Sequence, residues 1–598
     1  MSDKQAQKAH GHDSHHEPAK EPSYGLVLGA IVLLLLFYVG LMAAGIPQNW
    51  TKRAVGGHDD HAAMEHDDHS HDGHDHAAHD HSHDGHDHAA HDHGTGHEAQ
   101  TAGDDKPSPP FFMILPFALL LLAIAVLPLI PATEHWWESN LHRFYVAAGL
   151  GVLTLLYYGF VCNFSIELHW PGHAVISPKD GAVAMMGTIF TNAIISEFIP
   201  FIVLLFALYS IAGGIRIQGD LKASPRTNAV ILLIGSMMAS FVGTTGAAML
   251  LIRLLLETNK ERKFKVHTVV FFIFIVCNCG GCLLPIGDPP LFLGYLRGVE
   301  FLWTLNLWVE WAFVNLILIA LYFAMDTFFF YPRESKEDLA NDADNIEPLQ
   351  IRGWKLNVPL LLGVVLAVMY LAPEKNFFDG LGIKQLVAAT GVGDLNWHPP
   401  YFLREAVQIL LVLISLAAGS RLIRKENDFN FGAILEVAAL FFGIFICMQA
   451  PLQILDAQGK NLPLKTPAHY YWATGTLSSV LDNAPTYVVF FEAAKAQEAA
   501  KRAEAEKAGG EVLQKYESHA SDRLKVSGGE IDWHLLAAIS LGAVFMGAMT
   551  YIGNGPNFMV KAIAEQSGVK MPSFFGYMVY SILILIPIYI LMNILFLH

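Results

Sequence analysis

The sequence predicts an all-α polytopic membrane protein of about 11 transmembrane helices, built as two inverted repeats that each hold a re-entrant hairpin and a broken helix. Three observations carry this. Of 598 residues, 53% are hydrophobic and 16% charged, a bilayer composition rather than that of a large soluble protein. Several apolar stretches reach about 20 residues, the length that crosses a hydrocarbon core of about 30 Å. Four other apolar segments are interrupted by Gly, Pro, Asp or Asn at related positions. A formal charge of −17 argues against nucleic acid as a partner. The five cysteines, Cys162, Cys277, Cys279, Cys282 and Cys447, lie in or beside apolar segments, where a secreted disulfide framework would not place them.

Straight or kinked spans are expected near 24–44, 111–131, 143–161, 186–212, 266–296, 302–330, 355–372, 402–419, 430–451, 532–568 and 573–597. Residues 228–256 and 470–494 are apolar, but each carries a helix-breaking tip and reads as a re-entrant hairpin, which survives only under cover of protein or beside a water-filled cavity. The chain divides into a polar N-terminus (1–23), a first transmembrane anchor (24–44), a His/Asp-rich linker (45–110), a first repeat (111–330), a cytoplasmic linker (331–354) and a second repeat (355–598) with a charged insertion at 495–530. The anchor is longer than a signal-peptide core and reads as uncleaved, with cleavage near Ala43 or Ala44 as the alternative. The Lys- and Arg-rich short loops, Arg216–Arg226, Lys260–Lys265, Arg333–Lys355 and Arg421–Lys425, fall on one side if the N-terminus is cytoplasmic. The two hairpins then open from opposite faces.

The repeat is legible as a register. A shift of 239 residues lays Glu197 on Glu436, Ser240 on Ser479, and the tip Gly243-Thr244-Thr245-Gly246 on Asp482-Asn483-Ala484-Pro485. A shift of 266 lays Gly281 on Gly547, Ile286 on Ile552, Gly287 on Gly553 and Pro290 on Pro556. Inverted repeats with broken helices coordinate ions at the midplane through half-helix ends and unwound backbone. Here the breaks are the two tips and the runs Pro285–Pro290 and Tyr551–Pro556, where Gly permits unusual angles and Pro removes a donor. A simple kink is the plain alternative at any one of them; four in repeat-related places point to a site.

The tip SSVLDNAPT at Ser478–Thr486, its partner SFVGTTGA at Ser240–Ala247 and NCGGCLLPIGDPP at Asn278–Pro290 resemble the ion transporter superfamily, which groups NhaD-type sodium:proton antiporters, arsenite exporters and citrate or dicarboxylate symporters. The pattern looks closest to bacterial citrate transporters or sodium:proton antiporters and covers roughly residues 110–598. The resemblance implies a multi-pass protein of the bacterial inner (cell) membrane; with no H-E-x-x-H pair or G-x-S-x-G elbow in the sequence, no enzyme is expected. The first tip departs from the second in lacking its Asp-Asn pair.

The expected membrane-depth ionisable groups are Glu197, Asp288, Glu310, Glu436 and Asp482, each costing several kcal/mol if unpaired there. Acids outnumber bases: Lys561 is the one base placed within a span, and Arg253 and Asp326 sit near ends, where they can snorkel or face headgroups. This balance favours a cation over an anionic substrate. A desolvated carboxylate holds a proton more tightly than one in water, so near neutral pH it accepts either a proton or sodium, and that competition is itself antiport.

Asp482 is the first candidate carboxylate and Asp288 the second, with a helix cap as the plain role of Asp482. Asn278, Asn483 and Asn554 are candidate neutral ligands, and Thr244 and Thr245 candidate hydroxyl ligands, or else small packing residues. Glu197 and Glu436 lie on helix bodies, where an interhelical bond competes with ion handling.

Sodium:proton antiport is therefore the expected activity, with sodium-coupled citrate or dicarboxylate symport as the alternative and divalent metal export behind both. No cofactor is expected. The expected partners are the lipid bilayer and small inorganic cations, with a homodimer left open.

Residues 58–97 hold 15 of the 29 histidines, interleaved with Asp. In the near-repeat there, His74, His76, His79, His81, His83, His86, His88, His91 and His93 form an imidazole and carboxylate set suited to weak zinc, nickel, copper or cobalt capture. A flexible polar linker is the plain alternative. The thiols of Cys277, Cys279 and Cys282 read mainly as small apolar residues inside a span.

Overall fold

A computed structural model describes residues 106–169, 174–373 and 397–597. The expected anchor at 24–44 and the His/Asp-rich linker up to residue 105, with its histidines, lie outside the described residues. The chain is helical, and its principal helices in order are α1 Leu115–Val126, α2 Asn140–Phe160, α3 Ala182–Ala212, α4 Pro225–Val242, α5 Thr244–Thr258, α6 Val266–Ile275, α7 Pro289–Leu296, α8 Trp308–Met325, α9 Trp354–Tyr370, α10 Leu403–Ala418, α11 Gly432–Gln458, α12 Pro467–Val480, α13 Asn483–Ala508, α14 Trp533–Met546, α15 Gly555–Gln566 and α16 Phe574–Phe596. Among the described residues, three antiparallel ribbons pair β1 (Ile166–Leu168) with β2 (Ala174–Ile176), β3 (Arg216–Asp220) with β4 (Glu347–Arg352), and β5 (Arg523–Val526) with β6 (Gly529–Asp532).

Among the described residues, 7 helices are long and apolar enough to cross a membrane, and three shorter apolar helices accompany them. Six of the seven match expected spans. The seventh, α4, was read from sequence as the first arm of a re-entrant hairpin; at 18 residues it is roughly 27 Å long, span length in its own right. It nevertheless turns back at the single residue Gly243 (φ +80°) and packs along α5, so it is one arm of a hairpin. The expected spans at 266–296 and 532–568 are each two helices with unwound chain between them.

Both hairpins begin with the same local chemistry. Ser224 accepts from Thr227 N (3.2 Å) and Pro225 follows it; Thr466 accepts from His469 N (3.3 Å) and Pro467 follows it. A hydroxyl cap satisfies an orphan donor, and Pro at the first helical position gives up a donor that would have no partner anyway. Beyond the second tip, α13 runs unbroken to Ala508, so the first part of the charged insertion is a helical extension rather than a loop. The rest folds as a short helix, Gly510–Ser518, and the β5–β6 ribbon.

The packing keeps the repeat symmetry. The first arms, α4 and α12, lie against the first halves of the broken helices of their own repeats. The second halves cross over: α7 of the first repeat packs on α13 of the second, and α15 of the second on α5 of the first. One continuous apolar core joins both repeats, while large apolar side chains such as Leu122, Leu362 and Leu583 face outward, as a bilayer requires.

The linker at 331–354 carries β4 and a helix, Lys336–Asp344, and β4 pairs with β3. Near it, Arg262 is 2% exposed and forks onto Asp326 at 2.8 and 2.5 Å, with Glu334 at 3.3 Å. Asp326, expected to reach headgroups, is therefore buried and paired. The base that holds it comes from a loop 64 residues earlier.

Candidate functional site

The four interruptions meet at Asp288. In the first broken helix, α6 ends at Ile275, a 3-10 turn follows at Cys279–Cys282, and Asp288 is extended (φ −142°, ψ 142°) before Pro289 starts α7. The second copies this: α14, a 3-10 turn at Gly547–Met549, then Asn554 extended (φ −153°, ψ 138°) before α15. In each, the unwound chain crosses itself. A Cβ at Gly287 would run into the carbonyl oxygen of Gly281, and one at Gly553 into that of Gly547, so only glycine allows either crossing.

The Asp288 carboxylate is 1% exposed and accepts three hydrogen bonds from uncharged donors. Thr244 Oγ1 donates to Oδ1 at 2.9 Å, Asn554 Nδ2 to Oδ1 at 3.1 Å, and Asn483 Nδ2 to Oδ2 at 2.7 Å. The shell follows the repeat. Thr244 and Asn483 are equivalent under the shift of 239, and Asn554 is the counterpart of Asp288 itself under the shift of 266. Beyond it, Asn554 also donates to Asn278 Oδ1 (3.2 Å) and Cys277 O (3.0 Å), and Asn278 donates to Asn557 Oδ1 (2.7 Å). Asn557 then donates to Gly547 O and Thr550 O, both at 2.9 Å, closing the network onto the second break.

The symmetry extends to the supports. Ser240 donates to Gly280 O at 2.6 Å, and its mate Ser479 donates to Met546 O, the residue equivalent to Gly280, at 3.2 Å.

The other expected site residues lie in three kinds of place. Asp482 is half-buried at the second tip, and its Oδ1 accepts from Ala484 N at 3.0 Å, a helix cap one residue from Asn483. Thr245 is half-buried beside Thr244 and outside the bonded network. Glu197 and Glu436 are held away from Asp288 in ion pairs: Arg297 Nη2 reaches Glu197 at 2.8 Å, and Arg143 Nη1 reaches Glu436 at 2.9 Å. These two arginines revise the expected balance, in which membrane-depth acids had scarcely any bases near them.

Sequence reasoning passed over Asn557, although an amide three residues after Asn554 on the same helix face was available to see. It also passed over Arg297, which sits one residue past an expected span. Among the described residues, the group of His, Cys, Asp or Glu close enough to share a metal is Asp220, Glu261 and Asp342, so Cys277, Cys279 and Cys282 do not form one. All three thiols are fully buried, and Cys279 Sγ lies 3.7 Å from Tyr589 OH.

Chemically, the arrangement is a desolvated carboxylate ringed by amide and hydroxyl groups at unwound backbone, with the first turns of α5, α7, α13 and α15 around it. It offers oxygen ligands and a group able to take up a proton, and no nucleophile with a partnered base. A search of curated proteins finds no match. Residues 107–597 match the family described as "Putative citrate transport". On that match, which spans nearly all of the membrane part, the chain belongs to this family of citrate-transporter-like membrane proteins.

Proposed function

We propose that the protein is a secondary antiporter that exchanges sodium against protons, with Asp288 as the carboxylate over which the two compete. The observation that carries this reading is the shell of Asp288: three uncharged donors and, among the described residues, no Lys, Arg or His bonded to it. A buried acid without a fixed counter-ion is stable when a mobile cation or a proton neutralises it. The amides of Asn483 and Asn554 point their nitrogens at the carboxylate. Sodium entry would turn amide oxygens inward, with Thr244 Oγ1 and the carbonyls freed at the breaks as further hard ligands. Asp482, at the second tip one residue from Asn483, adds a second acid near the site and biases it further toward cations.

One observation favours the second reading, sodium-coupled symport of citrate or a dicarboxylate. Four helix N-termini surround the site, and their positive ends stabilise anions. Against it, the site already contains its own anion. Two unit charges about 5 Å apart at an effective dielectric near 20 repel by about 3 kcal/mol, which a polycarboxylate would meet more than once.

Purified protein in liposomes separates the two readings. Antiport requires that an imposed sodium gradient drive protons the opposite way with no dependence on citrate; labelled citrate uptake without proton exchange would assign the symport.

A further inference from the structure

We infer that Glu197, Arg297 and Glu492 form a latch closing one entrance to the Asp288 site, and that the polar cavity beside α5 is the opposite entrance. The inference rests on Asp288 being the transport site, whichever solute passes it.

Helix α7 starts at Asp288–Pro289 and has 8 residues, so Arg297 stands roughly 12 Å from the site at 1.5 Å per residue. Helix α13 leaves the same site from Asn483, packs along α7, and reaches Glu492 at a similar height. Arg297 ties these outer ends together and to a third element: its Nε lies 3.4 Å from Glu492, and its Nη2 lies 2.8 Å from Glu197, in the π-helical stretch Thr191–Phe198 of α3. Lys495 adds a second cation to Glu492 at 2.5 Å. The bridge is enclosed, with Arg297 8% exposed. Between latch and site, Tyr487 of α13 lies so close to Gly294 of α7 that a Cβ there would meet its hydroxyl. On the outer side, Ser527 N at the β5–β6 turn donates to Arg297 O at 2.9 Å, so the insertion in the second repeat braces the latch from above.

The repeat-equivalent position at the other end is different. The shift of 239 lays Arg253 on Glu492. Arg253 is partly exposed, pairs with Asp428 (side chain 77% exposed), and lines a cavity of about 500 Å³ together with Gln218, Met249, Glu257 and Lys260. Thr245, Met249 and Arg253 recur every four residues on one face of α5, so this wall leads from the cavity to the tip beside Asp288. One end of the site's helices is thus bound by a buried three-residue ion pair, while the other faces a polar opening. For the site to open at this end, Arg297 must release one of its two acids, parting α7 from α3 at Glu197 or from α13 at Glu492.

The test is chemical access in the full chain in sealed membrane vesicles of each orientation. The five native cysteines are buried, which keeps background reaction low. Thr245→Cys supplies the reporter, and a membrane-impermeant maleimide is admitted to one face at a time. With the latch intact, the reporter should react from the face carrying β3–β4 and scarcely from the face carrying β5–β6. Glu197→Gln, which leaves Arg297 paired with Glu492, should raise reaction from the β5–β6 face by about tenfold, the equilibrium change expected for one charge-assisted hydrogen bond. Glu436→Gln, the repeat-equivalent change, should leave it unaltered. Should Glu197→Gln fail to fold, Arg297→Lys carries the same test, because a point charge cannot span two carboxylates as a guanidinium does. No rise from the β5–β6 face in the folded variant, or an equal rise with Glu436→Gln, overturns the latch. Labelling is independent of the solute moved, so loss of sodium:proton exchange would overturn the antiport reading while leaving the latch to this result.

Discussion

Replacing Asp288 by Asn removes the carboxylate on which the bonds of the four breaks converge while keeping its size. The structural cost follows from the hydrogen bonds. Oδ1 accepts from Thr244 at 2.9 Å and Asn554 at 3.1 Å, and an amide oxygen in the same place keeps both bonds. Oδ2 accepts from Asn483 at 2.7 Å; an amide nitrogen there opposes donor with donor. A buried unsatisfied donor costs about 1–3 kcal/mol, and a flip of the Asn483 amide recovers part of it. The variant should therefore insert, elute as the wild type does, and melt only a few degrees lower. Transport should respond quite differently: with no titratable group for proton and sodium to share, sodium-driven proton flux in liposomes should fall to background at every pH from 6 to about 9. Asp288→Glu keeps the charge but pushes it one methylene into a shell spaced for Asp, and should retain a reduced flux with altered sodium affinity. Wild-type flux from folded Asp288→Asn would refute the reasoning.

Asp482→Asn retains a good helix cap on Ala484 N and should leave exchange running with weaker apparent sodium affinity; complete loss in a folded protein, measured in the same assay, would move the central role to Asp482. Gly287→Ala drives a Cβ into the Gly281 carbonyl, so exchange should be lost with about 1–3 kcal/mol of destabilisation, and an active, equally stable variant would contradict the crossing geometry. Deleting residues 57–97 should leave flux near wild type and lower nickel or zinc capacity in equilibrium dialysis; loss of flux would put the histidine tract in the pathway. Burial, then Glu261 and Asp220, push the Asp342 carboxyl above its ordinary value of 3.8 against the pull of Ala223 N–H. Its contribution to docking of the Lys336–Asp344 helix is thus fully present below that value and lost as pH rises through the raised one. Protection against hydrogen exchange at 336–344, corrected for the intrinsic rise of exchange with pH, should fall as pH climbs through the raised Asp342 value, and Asp342→Asn should flatten that fall.

Much of this architecture could be read from the chain because its breaks are written in residue types with few alternative uses. Gly243 at a one-residue turn, Pro289 and Pro556 just after unwound chain, and hydroxyl caps before Pro225 and Pro467 mark helix ends by local sterics and hydrogen bonding alone. The repeat register went further than its own identities, since it pairs Thr244 with Asn483 and Asp288 with Asn554, and the other three all donate to the Asp288 carboxylate. What stayed hidden was direction. Asp482 and Asp288 both follow unwound backbone, and sequence does not tell which side chain turns onto its own helix and which turns to the centre. The partners of Glu197 and Glu436 were hidden for a related reason: Arg297 is 100 residues from Glu197, and Arg143 is in another helix, so only packing brings them together.

The central claim is that a carboxylate at the broken helices exchanges sodium for protons. Its most direct test is proton movement in liposomes holding the wild-type protein alone, with an imposed sodium gradient and a pH-sensitive dye inside. The account requires protons to move opposite to sodium, at a rate that citrate outside or inside does not change. Sodium-dependent uptake of labelled citrate, with no proton counterflow, would contradict it.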